Sequence, residues 1–273
     1  MSSPEVKITK LQARAVNAPL AIPIQTAVGT VSTAPLVLID IYTNAGVTGH
    51  SWIFSYTPLC LKPLQFLVKS LSAFTDNKDL SPVAVSNNIE NSFLLLGHTG
   101  LLRMASAGID MAIWDALAKV NNQPLFRILG GEATAIRTYD SHSMDGKHLA
   151  TERAVKSYEE GYRALKTKIG YKTLEEDLEV ISAIRSATNN EMTIMVDYNQ
   201  SQSVPEAIRR IKSLESEAVY WVEEPTKQFD YEGHAKINAS SRLPVQMGEN
   251  WLGHREMSLC LESKACDLAM ADI

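Results

Sequence analysis

The sequence predicts an α+β region followed by an α/β region with a parallel sheet, and three observations support this prediction. The first third of the chain has short strand-like segments rich in β-branched residues, and helical patterns follow them. Gly130 and Gly131 then interrupt the chain and predict a junction between regions 1–130 and 131–273. Beyond about residue 135, short apolar strands alternate with amphipathic helices, which is typical of parallel strands joined by helical crossovers.

The composition is that of an ordinary globular protein. Of its 273 residues 45% are hydrophobic and 21% are charged, which excludes the disordered, collagen-like and low-complexity classes. The formal net charge is −5, and this mild acidity argues against a nucleic-acid surface and a polybasic membrane anchor. We therefore expect neither a nucleic-acid partner nor a membrane partner.

Cysteine usage and the N-terminal sequence predict a cytoplasmic protein. Three cysteines occur, Cys60, Cys260 and Cys266, and no pair has CxxC spacing, so we expect neither a disulfide framework nor a cysteine zinc site. The N-terminal sequence shows no basic segment followed by an apolar stretch, so no signal peptide is expected. No apolar run approaches the roughly 18 residues that a membrane span needs.

In the first region we expect three strands and three helices. The strands are predicted over 5–17, 35–43 and 47–54, and the helices over 58–73, 82–95 and 101–120. Asn44, Ala45 and Gly46 predict a hairpin turn between the second and third strands.

The second region alternates strands with helices. The strands are predicted over 136–141, 164–169, 193–198, 219–223, 244–249 and 267–272. The helices are predicted over 147–160, 174–188, 204–216, 231–240 and 254–263. Pro205 suits the first turn of its helix.

Charged residues recur at the carboxyl ends of these strands, once in each strand–helix unit. They are Lys166 with Lys168, Asp197, Glu223, Glu249 and Asp272. In a (β/α) barrel, the carboxyl ends of the strands surround the single site at which such enzymes do chemistry. Strand alternation places Lys166 and Lys168 on the same face, and it does the same for Asp197 and Asn199.

A structural interpretation exists for each of these residues alone. A lone Lys-x-Lys pair is commonly solvated surface, and a carboxylate after a strand is commonly a helix N-cap or a first-turn acid. Charges on the interior face of a barrel are costly unless they are paired or bind a metal ion. Their recurrence across five successive strands therefore favours one shared site.

The residue types in this set predict proton abstraction assisted by a metal ion. Asp197, Glu223 and Glu249 are hard oxygen donors without histidine or cysteine, which suits Mg²⁺, with Mn²⁺ as an alternative ion. A lysine beside a second ammonium group, such as Lys168 beside Lys166, can act as a general base. A divalent ion with such a base predicts removal of a proton next to a carboxylate.

Seven segments together resemble the mandelate racemase subgroup of the enolase superfamily, over nearly the whole chain from about residue 5. They are TAVGT (26–30), YDSHS (139–143), LKTKIGY (165–171), MVDYNQS (195–201), EEPT (223–226), DYEGH (230–234) and QMGENWLG (246–253). The resemblance implies an α+β capping domain over 1–130, with a lid loop near 20–33. It also implies a TIM-type (β/α)7β barrel, of which 131–273 would supply about six strands. Family members are homo-oligomers, often octamers.

The resemblance also implies an activity and residue roles. It implies Mg²⁺-dependent racemisation of a 2-hydroxy carboxylate, mandelate, through an enediolate, with Asp197, Glu223 and Glu249 as metal ligands. Lys168 would remove the α-proton of (S)-mandelate, and Lys166 would lie against the substrate carboxylate. Asp272 would be the acid half of a His–Asp pair that serves the (R) enantiomer.

Substrate contacts follow from the same resemblance. Ser141 would bind the substrate carboxylate and Asn199 the substrate hydroxyl. The lid is apolar at Ile22, Ile24, Val28 and Val31. If the lid covers the site, it suits a phenyl ring better than a polyhydroxy acid; the alternative is a loop packed on its own domain.

The sequence departs from the family pattern after Asp272. The family barrel runs on for two more strands, which carry the partner histidine and a glutamate that binds the substrate carboxylate. We therefore expect a C-terminally truncated form of the family pattern with open strand edges. The alternatives are a related racemase or acid dehydratase, or an inactive chain that only binds metal and carboxylate. His142 neighbours Ser141, but strand alternation predicts a structural role for it.

Overall fold

The computed structural model describes residues 6–272, which divide into two compact units. The first unit comprises 6–21 and 33–135, and the second comprises 22–32 and 136–272. The sequence prediction placed the junction at 130/131 and assigned the segment near 20–33 to the first region. The structure groups 22–32 with the second unit because the main chain of Gln25 bonds to Ser143 and Met144.

A three-stranded sheet in the order β1-β2-β3 begins the chain. Its strands are β1 (Ile8–Thr26), β2 (Gly29–Thr43) and β3 (Thr48–Phe54). Strands β2 and β3 are antiparallel, and the main-chain amide of Thr43 bonds to the carbonyl of Val47, which closes the predicted hairpin. Strand β1 runs nine residues beyond its predicted end at 17, to Thr26. The predicted lid loop is therefore the end of a long hairpin.

Four helices complete the first unit. They are α1 (Pro58–Ser70), α2 (Pro82–Ser92), α3 (Gly100–Val120) and α4 (Leu125–Ile128). The Thr57 side chain caps α1 and the Ser81 side chain caps α2, with proline in the first turn of each helix. Helix α3 packs on the sheet, and Ile39, Ile41 and Ile109 are fully buried between them.

The second unit contains a parallel six-stranded sheet, which confirms the predicted α/β class. Its strands are β4 (Asp140–Ser141), β5 (Ala164–Lys168), β6 (Thr193–Asp197), β7 (Val222–Glu223), β8 (Val245–Met247) and β9 (Leu268–Ala269). Each strand pairs with the next in chain order. The carboxyl ends of all six strands consequently lie along one edge.

Five helices connect the parallel strands. They are α5 (Gly146–Glu159), α6 (Leu174–Ala187), α7 (Val204–Leu214), α8 (Tyr231–Ala239) and α9 (His254–Glu262). Thr173 and Glu176 form a capping box at α6, and Pro205 lies in the first turn of α7 as predicted. In the part of the chain that the structure describes, no helix is both long enough and apolar enough to cross a membrane.

An apolar layer lies between the parallel strands and the helices. Leu165, Ile194 and Val222 are fully buried on the strands, and Ile181 and Ile211 are fully buried on the helices. Because neighbouring residues of a strand point to opposite faces, Lys166 and Asp197 project from the other face of the sheet. The apolar layer therefore holds the charged strand ends in register.

We expect Gly49→Ala to destabilise the first unit strongly. A Cβ atom at Gly49 would lie 2.0 Å from the main-chain oxygen of Ala112 in α3, so the helix must move away from β3. Overpacking of this kind costs about 1–3 kcal/mol or more in the free energy of unfolding. Urea unfolding measures the loss. Thr48→Ala on the same strand is the control, with an expected loss within about 1 kcal/mol. Equal losses in the two variants would contradict this packing.

His234 predicts a pH dependence of stability. It is fully buried in α8, its Nδ1 donates to the main-chain oxygen of Asp230, and burial lowers its pKa. The unfolded chain therefore binds this proton more tightly than the folded chain, so stability falls as pH drops below about 6.5. We expect His234→Gln to lose less stability than the unaltered chain between about pH 7 and 5 in urea unfolding.

The control for this prediction is His148→Gln, because 90% of the His148 side chain is exposed. This variant should keep the pH dependence of the unaltered chain. If all three proteins show the same pH dependence, His234 does not contribute to it.

Candidate functional site

The register of β5, β6 and β7 brings two lysines and two carboxylates together. Lys168 is opposite Asp197, and Asp197 is opposite Glu223. The Nζ atom of Lys166 donates to both carboxylate oxygens of Glu223 at 2.7 Å, and it lies 3.9 Å from Oδ2 of Asp197. The Nζ atom of Lys168 donates to Oδ2 of Asp197 at 2.6 Å. Four of the residues singled out in the sequence thus form one ionic cluster.

Burial sets the electrostatics of this cluster. Asp197 and Glu223 are fully buried, and Lys166 is buried as well. Burial and the negative charge of Asp197 raise the pKa of Glu223 to about 7, against the opposing charge of Lys166. Burial also favours neutral Lys166, but the charges of Glu223 and Asp197 outweigh it and raise the pKa of Lys166. Lys166 is therefore held as an ammonium group.

Glu249 and Asp272 belong to the same electrostatic environment. Glu249 follows β8. Burial is the main cause that raises its pKa, and the negative charge of Asp197 adds to this effect, whereas the positive charges of Lys166 and Lys168 oppose it. The negative charge of Asp272 also acts on Glu249. Asp272 itself follows β9 and is exposed. The strand ends from β5 to β9 therefore supply charges that act on each other.

The carboxylate oxygens of Asp197, Glu223 and Glu249 are ligands of the chemical type that binds a hard divalent cation. Among residues 6–272, no three His, Cys, Asp or Glu side chains converge as a metal site in their present positions. In the present positions, the ammonium groups of Lys166 and Lys168 bind the oxygens of Glu223 and Asp197. Asp197 and Glu223 are buried and Glu249 is half-buried, and carboxylate oxygens of this kind suit Mg²⁺. Oδ1 of Asn199 is a buried acceptor without a hydrogen-bond partner among the described residues.

Asn199 orients Asp197. The main-chain amide of Asn199 donates to Oδ1 of Asp197 at 2.7 Å, and its Nδ2 donates to Oδ2 at 2.9 Å. This geometry uses a left-handed backbone at Asn199, with φ of 44°. The predicted contact of Asn199 with a substrate hydroxyl stays a prediction.

The tip of the first hairpin, residues 22–32, packs on loops that follow β4 and β5. The amide of Gln25 donates to Oγ of Ser143 at 3.0 Å, and the amide of Met144 donates to the Gln25 carbonyl at 2.9 Å. A Cβ atom at Gly170, where φ is +106°, would lie 3.0 Å from Cβ of Ala27. The hairpin tip therefore lies close to the loop that follows Lys168.

A cavity of about 200 Å³ lies between the hairpin tip and the sheet edge. It is lined by Ile22, Ile24, Ser141, His142, Ser143 and Arg153. Ser141 and Ile22, both predicted to contact substrate, thus meet at one cavity. Val28 and Val31 were predicted with them but do not line it: Val28 is 63% exposed at the hairpin turn, and Val31 is half-buried.

His142 is buried, although it also lines the cavity described above. Its Nε2 lies 3.0 Å from Oδ2 of Asp140 and 2.9 Å from Oγ of Ser157. Ser157 also donates to Asp140 at 2.6 Å. These contacts join β4 to α5, and the structural role that strand alternation predicts for His142 stays a prediction.

A buried network centred on Asp177 supports the site, and sequence reasoning missed it. Oδ1 of Asp177 accepts the amides of Gly170 and Tyr171 at 2.8 and 2.9 Å. Oδ2 accepts from Nη1 of Arg210 at 2.7 Å and from the Tyr198 hydroxyl at 3.4 Å. The network ties the loop after Lys168 to the residue after Asp197. Asp177 looks like an ordinary first-turn acid of α6 in the sequence, so no local signal distinguishes it.

Glu224 supports the site from the other side. It is buried, its carboxylate accepts from Nδ2 of Asn250 at 2.8 and 3.0 Å, and Nε2 of Gln200 donates at 3.1 Å. Burial raises its pKa to about 7. Glu224 thereby links the loops that follow β6, β7 and β8.

Family models match both regions of the chain. The model described as mandelate racemase / muconate lactonizing enzyme, N-terminal domain, matches residues 8–130. The model described as enolase C-terminal domain-like matches residues 150–273.

Curated relatives include a sugar-acid dehydratase and a sugar-lactone cycloisomerase, and others are named as epimerases or racemases, such as L-Ala-D/L-Glu epimerase of Clostridium acetobutylicum. The chain is 29% identical to D-galactarolactone cycloisomerase of Agrobacterium fabrum over 280 residues, covering 98% of this chain and 71% of that protein. It is 32% identical to L-talarate/galactarate dehydratase of Salmonella typhimurium over 181 residues, covering 65% of this chain and 45% of that protein. The chain therefore spans between about half and three quarters of these relatives.

Solved structures share the fold over all or nearly all of the chain. An enolase from Bradyrhizobium, complexed with magnesium and mandelic acid, is 39% identical with a TM-score of 0.93. The match covers 100% of this chain and 75% of that one. An enolase from an alpha proteobacterium with bound magnesium is 32% identical, also with a TM-score of 0.93, over 98% of this chain and 75% of that one.

We expect Asp177→Asn to destabilise the second unit by about 3 kcal/mol, because removing one partner of a buried ion pair leaves the other without full compensation. The measurement is urea unfolding. Glu179→Gln on the same helix is the control, since 63% of the Glu179 side chain is exposed. That exposed change should cost less than about 0.5 kcal/mol. A loss for Asp177→Asn no larger than that of the control would show that the network contributes no stability.

Proposed function

This chain belongs to the enolase superfamily, and we propose that it removes the α-proton of a 2-hydroxy carboxylate with the help of Mg²⁺. We propose mandelate as the substrate and racemisation through an enediolate as the reaction, as in mandelate racemase. The observation that carries the proposal is the buried cluster in which Lys166 binds Glu223 and Lys168 binds Asp197. Such a set of charges at the strand ends of a parallel sheet suits proton abstraction better than a structural role.

Asp197, Glu223 and Glu249 would hold the metal ion. When bound, Mg²⁺ supplies positive charge that stabilises negative charge on the substrate carboxylate. The solved relatives complexed with magnesium support this assignment. Asn199 keeps both oxygens of Asp197 in place through two hydrogen bonds.

The two lysines have different roles in this proposal because their surroundings differ. Lys166 is buried and its pKa is raised, so it stays charged and suits a partner for the substrate carboxylate. The Lys168 side chain is 14% exposed, against 6% for Lys166, and so lies closer to an entering substrate. Lys168 is therefore the proposed base for the α-proton of the (S) enantiomer. Asp272 would orient a histidine base for the (R) enantiomer.

Mandelate is favoured within this substrate class by two observations. The Bradyrhizobium enolase that is 39% identical is complexed with mandelic acid. Ile22 and Ile24 form the hairpin side of the cavity that Ser141 also lines, and apolar side chains suit a phenyl ring.

A sugar-acid dehydratase is the second candidate. Identity of 32% to the Salmonella dehydratase favours it. A polyhydroxy acid needs polar partners for its hydroxyl groups, and Ile22 and Ile24 offer none. A homo-oligomer, octameric by resemblance, and a cytoplasmic location both stay predictions.

The test is exchange of the α-proton of (S)-mandelate in deuterated water with Mg²⁺, followed by proton NMR. We expect exchange by the full protein and at least a 100-fold slower rate for Lys168→Ala, because general base catalysis typically contributes about 10²–10⁴. Lys172→Ala is the control, because Lys172 is exposed in the following loop. It should exchange at the rate of the unaltered protein.

Other outcomes identify the alternatives. If the protein forms a keto acid from galactarate and does not exchange deuterium into mandelate, the reaction is dehydration and not racemisation. If neither acid reacts but Mg²⁺ and mandelate still raise the melting temperature, the protein only binds them. Exchange that persists in Lys168→Ala would exclude Lys168 as the base.

A further inference from the structure

The sulfur atoms of Cys260 and Cys266 lie 3.6 Å apart. Cys260 is buried near the end of α9, and Cys266 is half-buried just before β9. The sequence predicted no disulfide because the two cysteines lack CxxC spacing. Their proximity results from the turn that ends helix α9, and no part of the proposed mechanism uses it.

The end of helix α9 explains why the two cysteines meet. Lys264 has a left-handed backbone with φ of 55°. The amide of Ala265 donates to the carbonyl of Cys260 at 3.1 Å, and the amide of Lys264 donates to that of Leu261 at 3.0 Å. This pattern closes the helix and turns the chain back, so the next residue, Cys266, comes beside Cys260.

We propose that Cys260 and Cys266 form a reversible disulfide when they react with low-molecular-weight disulfides such as oxidised glutathione. In the first step, the Cys266 thiolate attacks one sulfur of the oxidant and forms a mixed disulfide with it, while the other sulfur of the oxidant leaves as a thiolate and takes up a proton. In the second step, Cys260 loses its proton and attacks Sγ of Cys266, releasing the second thiol. Two protein thiols become one disulfide, and one small disulfide becomes two thiols.

The surroundings of the two sulfurs favour this order of attack. The Cys260 thiol donates to Sγ of Cys266, which lowers the pKa of Cys266 and raises that of Cys260. The thiolate is the nucleophile in disulfide exchange, and Cys266 is also the more exposed of the two. A disulfide bond is about 2.05 Å long, so the sulfurs must approach by about 1.5 Å.

The disulfide would restrain the segment that leads to Asp272. The amide of Asp267 donates to the carbonyl of Val245 at 2.9 Å, and its Oδ2 accepts the Val245 amide at 3.0 Å. A bond between the neighbouring Cys266 and Cys260 would tie this start of β9 to helix α9. Intracellular disulfides of this kind are commonly transient and respond to redox conditions.

Tryptic mapping of the full protein tests the proposal directly. The folded protein is treated with oxidised glutathione, quenched with acid, alkylated and digested without reductant. Trypsin cleaves after Arg255 and Lys264, so the disulfide would join peptide 256–264 to the peptide that starts at Ala265. We expect this linked pair, its loss after dithiothreitol, and alkylation of only Cys60 among the three cysteines.

Cysteine variants separate the two steps. Cys60→Ser is the matched control and should give the same linked peptides as the unaltered protein. Cys260→Ser should stop after the first step and keep a glutathione adduct on Cys266. A stable adduct on Cys266 of the unaltered protein, without linked peptides, would overturn the proposal. Linkage that appears only after denaturation would also overturn it, and these two results do not depend on any variant folding.

Discussion

Charge pairing in the buried interior of the parallel sheet is the constraint on which the site depends. Asp197 and Glu223 are fully buried carboxylates on neighbouring strands, and each binds a lysine ammonium group. Buried charges are costly unless they are paired or bind a metal ion, so these residues must keep a cation near them. Burial, and after it the negative charge of Asp197, raises the pKa of Glu223. The same requirement makes the site suitable for a divalent ion and an anionic substrate.

The surrounding structure keeps this charged cluster in register. The Asp177 network holds the loop after Lys168 against Tyr198, and Glu224 joins three neighbouring loops. The apolar layer behind the strands fixes their spacing. Charged groups at the carboxyl ends of the strands are therefore positioned by the buried contacts around them. This arrangement suits catalysis, because preorganised charges do not have to reorient during the reaction.

Sequence periodicity predicted most of the fold and most of the candidate site, for a local reason. Alternating apolar strands and amphipathic helices determine where each element lies, and Lys168 and Asp197 follow from their positions at strand ends. Contacts between distant segments were not predictable in this way. The extension of β1 to Thr26 depends on pairing with β2, and the Asp177–Arg210 ion pair joins two helices. The approach of Cys260 to Cys266 likewise depends on a left-handed turn.

Calorimetric titration of the full protein with Mg²⁺ tests the central claim, that the buried carboxylates hold a divalent ion. The account predicts saturable binding by the unaltered protein, loss of that binding in Asp197→Asn, and unchanged binding in Glu262→Gln, an exposed residue on α9. Circular dichroism would establish that Asp197→Asn remains folded. Absence of binding to the unaltered protein, or equal affinity in Asp197→Asn, would contradict the account.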